Sequence, residues 1–402
     1  MKNKLIIDFG ATRVKSISKK NKSLFFFETI GSIKFENSKF SPLFFYSSLL
    51  KHLNYFKKKK IKINQILVSS EMHGFFLIDE KKNYTPYFSW RFDSKKKNHP
   101  IKINFLKKNL FKKTGLIFRA GIPIINYFRE NFVSKNFNFL GGVAEAICFF
   151  GGEYNKKLSI SYAHSTGFYD LKGNFFLKKF FKNSISKDQK TYIGFINFNK
   201  KKIKVYCGIG DLQASVLGSE LKNNDILINM GTGSQIITRN QLLCKKNVEI
   251  RPLHKDITLY CITHIPSGKA ISFFCNQISL HKNKSSKYFW NTLSLIKLED
   301  LTNVEGDVNF VQLFKGKGLG KIFFKKNYKY LCCKLIKSYL NQYLIILKNN
   351  FKLKKMRSII LSGGIPKKIP VIKEYLNQKS LLKIYVQKDK IDETLLGLKS
   401  II

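Results

Sequence analysis

Short apolar runs that stop at polar, glycine-bearing turns recur along this chain. Leu5-Ile6-Ile7 runs into Asp8 and Gly10, and Ile66-Leu67-Val68 into Ser69 and Ser70. Ile203-Lys204-Val205-Tyr206-Cys207 meets Gly208-Ile209-Gly210, Ile226-Leu227-Ile228-Asn229 meets Gly231-Thr232-Gly233, and Ser358-Ile359-Ile360-Leu361 meets Gly363-Gly364. Such runs, bounded by turn signals, predict buried strands. Between them, apolar residues at Tyr328, Leu331, Cys332, Leu335, Ile336, Tyr339, Leu340 and Tyr343 predict a helix over 328–349. Helices are also expected over 44–56 and 211–220. Buried strands alternating with helices predict an α/β fold, whose ligands bind beyond the carboxyl ends of the strands. The polar turn near residue 8 is echoed near residue 229. That echo predicts two related α/β halves, 1–222 and 223–402.

Composition narrows the class. A chain of 402 residues suits two domains of roughly 200 each. With 44% hydrophobic and 14% aromatic residues, a disordered or collagen-like protein is excluded. The 7 cysteines are scattered without a CxxC pair, which argues against a disulfide scaffold or structural zinc and for a reducing compartment. The run Leu5 to Phe9 contains Asp8 and is too short for a secretory core. Phe137 to Gly152 is broken by Asn138, Glu145 and glycines, short of a membrane span. A soluble cytoplasmic protein without a membrane partner is expected.

The net charge of +48 first suggests a nucleic-acid binder. Only seven of the 73 basic residues are arginine, however, and base readout and phosphate forks favour arginine. The lysine excess accompanies Asn, Ile and Phe, a combination expected of coding bias in an AT-rich genome. No specific nucleic-acid partner is expected.

Five segments carry candidate chemistry. In Asp8-Phe9-Gly10-Ala11-Thr12-Arg13-Val14-Lys15 a strand delivers a carboxylate and glycine lets the backbone approach a ligand. Thr12 adds a hydroxyl, and Arg13 or Lys15 a cation, a set suited to phosphates and hydrated Mg²⁺. A plain hairpin with a solvated Asp8 is the alternative. In Asn229-Met230-Gly231-Thr232-Gly233-Ser234 the turn amides could cradle phosphate oxygens. Asp211 follows Gly208-Ile209-Gly210 where a helix would begin. It is either an N-cap or a general base for phosphoryl transfer. Ser69-Ser70-Glu71-Met72-His73-Gly74 groups polar side chains suited to a polyol, with no second histidine at metal-ligand spacing. Gly363-Gly364 suits a purine lying against backbone. Gly316-Lys317-Gly318-Leu319-Gly320-Lys321-Ile322 lacks the spacing and hydroxyl of a Walker A loop, and no GxGxxG follows a strand.

In order, these segments resemble the FGGY carbohydrate kinase family. The resemblance implies two ribonuclease H-like domains of the actin/hexokinase type, with an interdomain cleft that binds ATP and sugar. It implies Asp8, Gly10, Thr12, Arg13 and Lys15 as the first phosphate motif, with Asp8 as the Mg²⁺ residue. Gly231, Thr232 and Gly233 correspond to the second phosphate motif, and Gly363 and Gly364 to the adenosine motif. Asp211 falls on the catalytic aspartate. Ser70, Glu71, Met72 and His73 match the sugar motif, with Glu71 in place of glutamine. Ser165-Thr166-Gly167-Phe168-Tyr169-Asp170 resembles another family segment. Asp93 stands for a sugar-contacting aspartate, one place late in Trp90-Arg91-Phe92-Asp93-Ser94. The family's G-E-R motif is reduced to Gly316-Lys317-Gly318. Gly210-Asp211-Leu212-Gln213-Ala214-Ser215-Val216 is most similar to sedoheptulokinases, with xylulokinases next. The implied function is ATP-dependent phosphorylation of a terminal ketose hydroxyl, and a catalytically degenerate binding relative is the alternative. The implied partners are a ketose and ATP, with a homodimer left open.

Overall fold

Leu5, Ile6, Ile7 and Phe9 are all buried, because their strand lies at the centre of a sheet. The computed structural model describes residues 3–401 except 178, 189, 208, 247, 255–256, 306–307, 317–326 and 388–390. The chain forms two compact units. The first contains Met1–Gly218, Glu249–Thr258 and Ile391–Ile402, and the second Ser219–Val248 and Leu259–Lys390. The division therefore falls at Gly218/Ser219, and two later segments return to the first unit. Neither return leaves a compositional mark: Glu249–His254 is a short strand of mixed polar and apolar residues and Glu393–Ser400 an ordinary short helix.

The first unit is built on β1 (Lys4–Phe9), β2 (Arg13–Lys20), β3 (Ser23–Ile30), β4 (Gln65–Ser70), β5 (Gly152–Tyr154), β6 (Thr191–Phe198) and β7 (Lys201–Cys207). They stand in the order β3-β2-β1-β4-β7-β6-β5. β1, β2 and β3 pair antiparallel, whereas β1, β4 and β7 pair parallel. The connection from β3 to β4 carries α1 (Leu43–Lys58). Its buried residues Phe45, Leu49, Leu53 and Phe56 follow helical spacing and join one core with Ile7, Val68 and Val205. α2 (Pro100–Thr114) belongs to a separate aromatic core with Phe75, Phe88, Tyr127 and Phe168. α3 (Val143–Gly151) packs against α1. α4 (Asp211–Gly218) leaves the end of β7.

The second unit repeats the plan with β8 (Asp225–Met230), β9 (Gly233–Thr238), β10 (Ile257–Pro266), β11 (Ser358–Ser362) and β12 (Lys383–Val386). The order is β10-β9-β8-β11-β12. β8, β9 and β10 are again antiparallel, and β8, β11 and β12 parallel. α5 (Gly268–Lys282) and α6 (Tyr328–Asn350) lie between β10 and β11, and α7 (Val371–Ser380) joins β11 to β12. α6 buries the expected positions from Leu331 to Tyr343, but Tyr328 at its first turn is exposed. The chain ends in α8 (Glu393–Ser400), which packs on α4 in the first unit.

Among the described residues no helix is long and apolar enough to cross a membrane. All 7 cysteines are free thiols.

Candidate active site

The first hairpin, β1–β2, turns through Gly10, Ala11 and Thr12. Amides at the end of β3 tie down its carbonyls, Gly31 N–H donating to Thr12 O at 3.0 Å and Ile33 N–H to Ala11 O at 2.7 Å. Asp8, the penultimate residue of β1, is not solvated. It is 6% exposed, and its Oδ1 has no hydrogen-bond partner. Burial pushes its pKa well up, Asp392 and Asp211 push the same way, and Lys15 opposes them. Lys15 is the cross-strand partner of Asp8, and its Nζ donates to Asp392 Oδ2 at 2.6 Å. Burial works against the Lys15 charge, but Asp392 and Asp8 outweigh it and its pKa rises. Thr12 and Arg13 are exposed, and Arg13 pairs with Glu28 at 3.3 Å.

Asp211 is the first residue of α4, and its Oδ1 accepts from Leu212 N–H at 2.8 Å. Burial raises its pKa, while that amide and the Arg251 guanidinium restrain the rise. Asp8, Asp211, Asp392 and Lys15 therefore form one electrostatic cluster within the first unit. At Gly210 a Cβ would stand 1.9 Å from the Met72 sulfur, so a larger residue would have to push that side chain aside. Met72 thus lies directly against the approach to Asp211.

Beyond β4 the chain bends sharply at His73, which has a left-handed φ of 66°. His73 Nδ1 donates to Ser165 O at 2.5 Å. A carbonyl can only accept, so Nδ1 carries the proton. Nε2 then accepts from Arg119 at 3.0 Å and Arg251 at 2.9 Å. Burial and the two guanidiniums push the His73 pKa well down, so the ring is neutral. Glu249 binds Arg119 at 2.7 Å and Arg251 at 3.2 Å. Burial would raise its pKa, but the two arginines hold it far below the usual carboxylate range. Glu71 is 4% exposed and neither carboxylate oxygen makes a hydrogen bond. Burial raises its pKa to about 7 against the opposing influence of Ser89 and Arg91.

In the second unit the β8–β9 hairpin turns at Gly231 and Thr232. Gly268 N–H donates to Gly231 O at 3.0 Å and Lys269 N–H to Thr232 O at 2.9 Å. Asn229 and Ser362 are register partners on β8 and β11, as Asp8 and Ser69 are on β1 and β4. Gly363 has φ 89° and ψ 178°, and its Cα faces Met230 O so closely that a Cβ would lie 2.4 Å away. Added Cβ atoms at Gly233 and Gly364 would meet nothing within 4 Å. The backbone at those two glycines is open to a ligand.

The structure thus brings Asp8, Lys15, Asp211, Glu71, Met72 and His73 together within the first unit, and Gly231, Thr232, Gly233, Gly363 and Gly364 within the second. Asp93 is engaged elsewhere: Arg129 binds it at 2.7 Å, and Lys95 also pairs with it. From that segment Arg91, not Asp93, acts on Glu71. In the Ser165–Asp170 segment, Ser165 O meets His73, while Asp170 Oδ1 accepts from Lys172 and Asn174 in its own turn. The Ser70 side chain, Gly208, Lys317 and Gly318 lie outside the described residues. Sequence reasoning misses Arg119, Glu249, Arg251 and Asp392. The available signal for Asp392 is its place as an N-cap, accepting from Thr394 N–H at 3.0 Å.

No protein-family profile matches the chain, and no curated protein matches it in sequence. Solved structures do match. A ligand-bound xylulose kinase from Lactobacillus acidophilus superposes with TM-score 0.76 at 16% identity, covering 98% of this chain and 88% of that one. A gluconate kinase from Lactobacillus acidophilus gives 0.75 at 16%, covering 98% and 88%. Plasmodium falciparum glycerol kinase with ADP gives 0.70 at 14%, covering 100% and 89%. The fold is that of these proteins, α/β with two ribonuclease H-like units of the actin/hexokinase type, as the sequence leads one to expect.

Proposed function

We propose that this chain is an ATP-dependent carbohydrate kinase acting on a terminal hydroxyl of a ketose, sedoheptulose ahead of xylulose. The observation that carries this reading is the clustering of two carboxylates, the buried Asp8 and the half-buried Asp211, on the first unit. The likeness of fold to xylulose, gluconate and glycerol kinases supports it.

In the proposed reaction the substrate oxygen attacks the γ-phosphorus. A new O–P bond forms, the bond to the β-phosphate oxygen breaks, and ADP leaves. Asp211 accepts the hydroxyl proton. Its raised pKa suits that task, because a carboxylate of higher pKa takes a proton more readily at neutral pH. Met72 and the neutral His73 line the sugar side. Thr232 and Gly233 hold phosphates by backbone N–H groups, Gly231 shapes the turn by donating its own N–H to Gly233 O at 3.2 Å, and Gly363-Gly364 backs the adenosine.

Mg²⁺ fits the Asp8 site. A buried carboxylate with an unpaired oxygen beside two others is a natural place for a cation. Among the described residues no three acidic, His or Cys side chains form a cage. Hydrated Mg²⁺ needs only one or two carboxylates. Asp8 would hold it, and when bound the ion supplies positive charge for the phosphates. Asp211 is left free to take the proton.

The test is ADP release from Mg²⁺-ATP with sedoheptulose, xylulose, ribulose, glycerol and gluconate. Release that depends on a ketose supports the proposal. Release with gluconate or glycerol alone would replace the substrate class. Bound ATP with no release on any of the five would sink the kinase reading.

A further inference from the structure

We propose that Asp392 is a positioning residue for the Asp8 site: it holds the Lys15 ammonium away from Asp8 and leaves that carboxylate open to a divalent cation. The inference rests on the reading that Asp8 holds hydrated Mg²⁺. Lys15 and Asp8 are directly paired across β1 and β2, and such residues project from the same face of a sheet. A lysine opposite a buried aspartate would ordinarily pair with it. Here Nζ goes instead to Asp392 Oδ2 at 2.6 Å, and Asp8 Oδ1 has no hydrogen-bond partner.

Asp392 can compete because it is fixed. Its other oxygen accepts from Thr394 N–H at 3.0 Å and caps α8. That helix is pressed onto α4 through two glycines. A Cβ on Gly397 would stand 1.8 Å from Ala214 O, and one on Gly218 2.0 Å from Glu393 O. α4 begins at Asp211. The C-terminal segment thereby keeps Asp392 in register with the helix of the proposed base, although it lies 377 residues from Lys15 in sequence. Without the Asp392 charge, Lys15 would turn to Asp8, and an incoming cation would have to displace it.

The experiment is Mn²⁺ titration of the full-length protein, with free ion read by electron paramagnetic resonance. Four proteins are compared: wild type, Asp392→Asn, Lys15→Met and the double variant. Asparagine is as good an N-cap as aspartate, so Asp392→Asn removes the ion pair and keeps the cap. The expected result is that Asp392→Asn weakens Mn²⁺ binding by roughly tenfold, the effect of a partly buried ion pair that must be broken. In the Lys15→Met background the same change should do almost nothing, because Asp392 acts through Lys15. Equal weakening in both backgrounds would overturn the proposal, since Asp392 would then act on the ion itself. So would no weakening, or a wild type that binds no Mn²⁺. Should Asp392→Asn fail to fold, Lys15→Met alone decides: it should bind Mn²⁺ at least as tightly as wild type, and weaker binding would overturn the proposal. Absence of sugar-dependent ADP release by a wild type that binds Mn²⁺ would sink the kinase reading and leave this cycle to judge Asp392.

Discussion

The two glycine hairpins share a backbone plan and differ in chemistry. In each, the central strand pairs antiparallel with the next strand and parallel with a later one. In each, an amide beyond the third strand ties down a turn carbonyl: Gly31 to Thr12, and Gly268 to Gly231. The penultimate residue of the central strand is Asp8 in one and Asn229 in the other. Across the hairpin from it stands Lys15 in one and Gln235 in the other. The first hairpin is therefore a charged site with carboxylates in conflict, and the second a neutral one that offers backbone. The common frame sets where a ligand can approach. One side chain at one register position sets whether that place is charged or neutral, and the proposed function builds on that difference.

Four substitutions probe this contrast. The largest effect is expected from Asp8→Asn, which gives the first hairpin the amide of the second. Turnover should fall about 10²–10³-fold, as when a preorganised electrostatic group is lost, and Mn²⁺ binding should fall with it. Unchanged turnover would show that Asp8 and Asn229 are interchangeable. Next is Gly363→Ala, which forces a Cβ into a glycine-only backbone region and against Met230 O. A loss of about 3 kcal/mol or more in denaturant unfolding is expected. A loss under about 1 kcal/mol would mean that the second hairpin does not need this close approach.

Glu71→Gln should act through pH. The folded pKa of about 7 lies above the ordinary value of 4.5, so the folded state favours the protonated acid. That favourable contribution is complete below about pH 4.5 and disappears as pH rises through 7. The variant's melting temperature relative to wild type should therefore climb between pH 5 and pH 8. A difference that stays flat across that range would show that Glu71 ionises normally. The smallest stability effect belongs to Gly233→Ala. With nothing within 4 Å of its Cβ, stability should change by less than about 0.5 kcal/mol. ADP affinity should still drop severalfold if the proposed function holds, because a methyl group would then stand in the space given to phosphate. Equal ADP affinity would place the phosphates elsewhere.

What is legible in the sequence follows from range. β1, β4, β7, β8 and β11 are short apolar runs ended by turn residues, and α6 has a clear helical period. These are local signals, and they mark the strand ends that carry Asp8, Glu71, Asp211, Gly231 and Gly363. Arg119 and Arg251 meet His73 across 46 and 178 residues, and nothing nearby in the chain announces either contact. Asp392 is less visible still, because its local role as a helix cap accounts for it fully until Lys15 is seen beside it. Asp93 errs the other way: a suggestive position beside Trp90 is taken up by Arg129, a cation whose place depends on folding.

The central claim is that the Asp8–Asp211 cluster transfers a phosphoryl group to a sugar, with Asp211 taking the proton. The most direct test is the rate of sugar phosphate formation by wild type and Asp211→Asn, followed by mass spectrometry at saturating ATP and ketose. The account predicts product from the wild type and a kcat lower by about 10²–10⁴-fold in the variant, with ATP affinity nearly unchanged. Wild-type turnover in Asp211→Asn would contradict it.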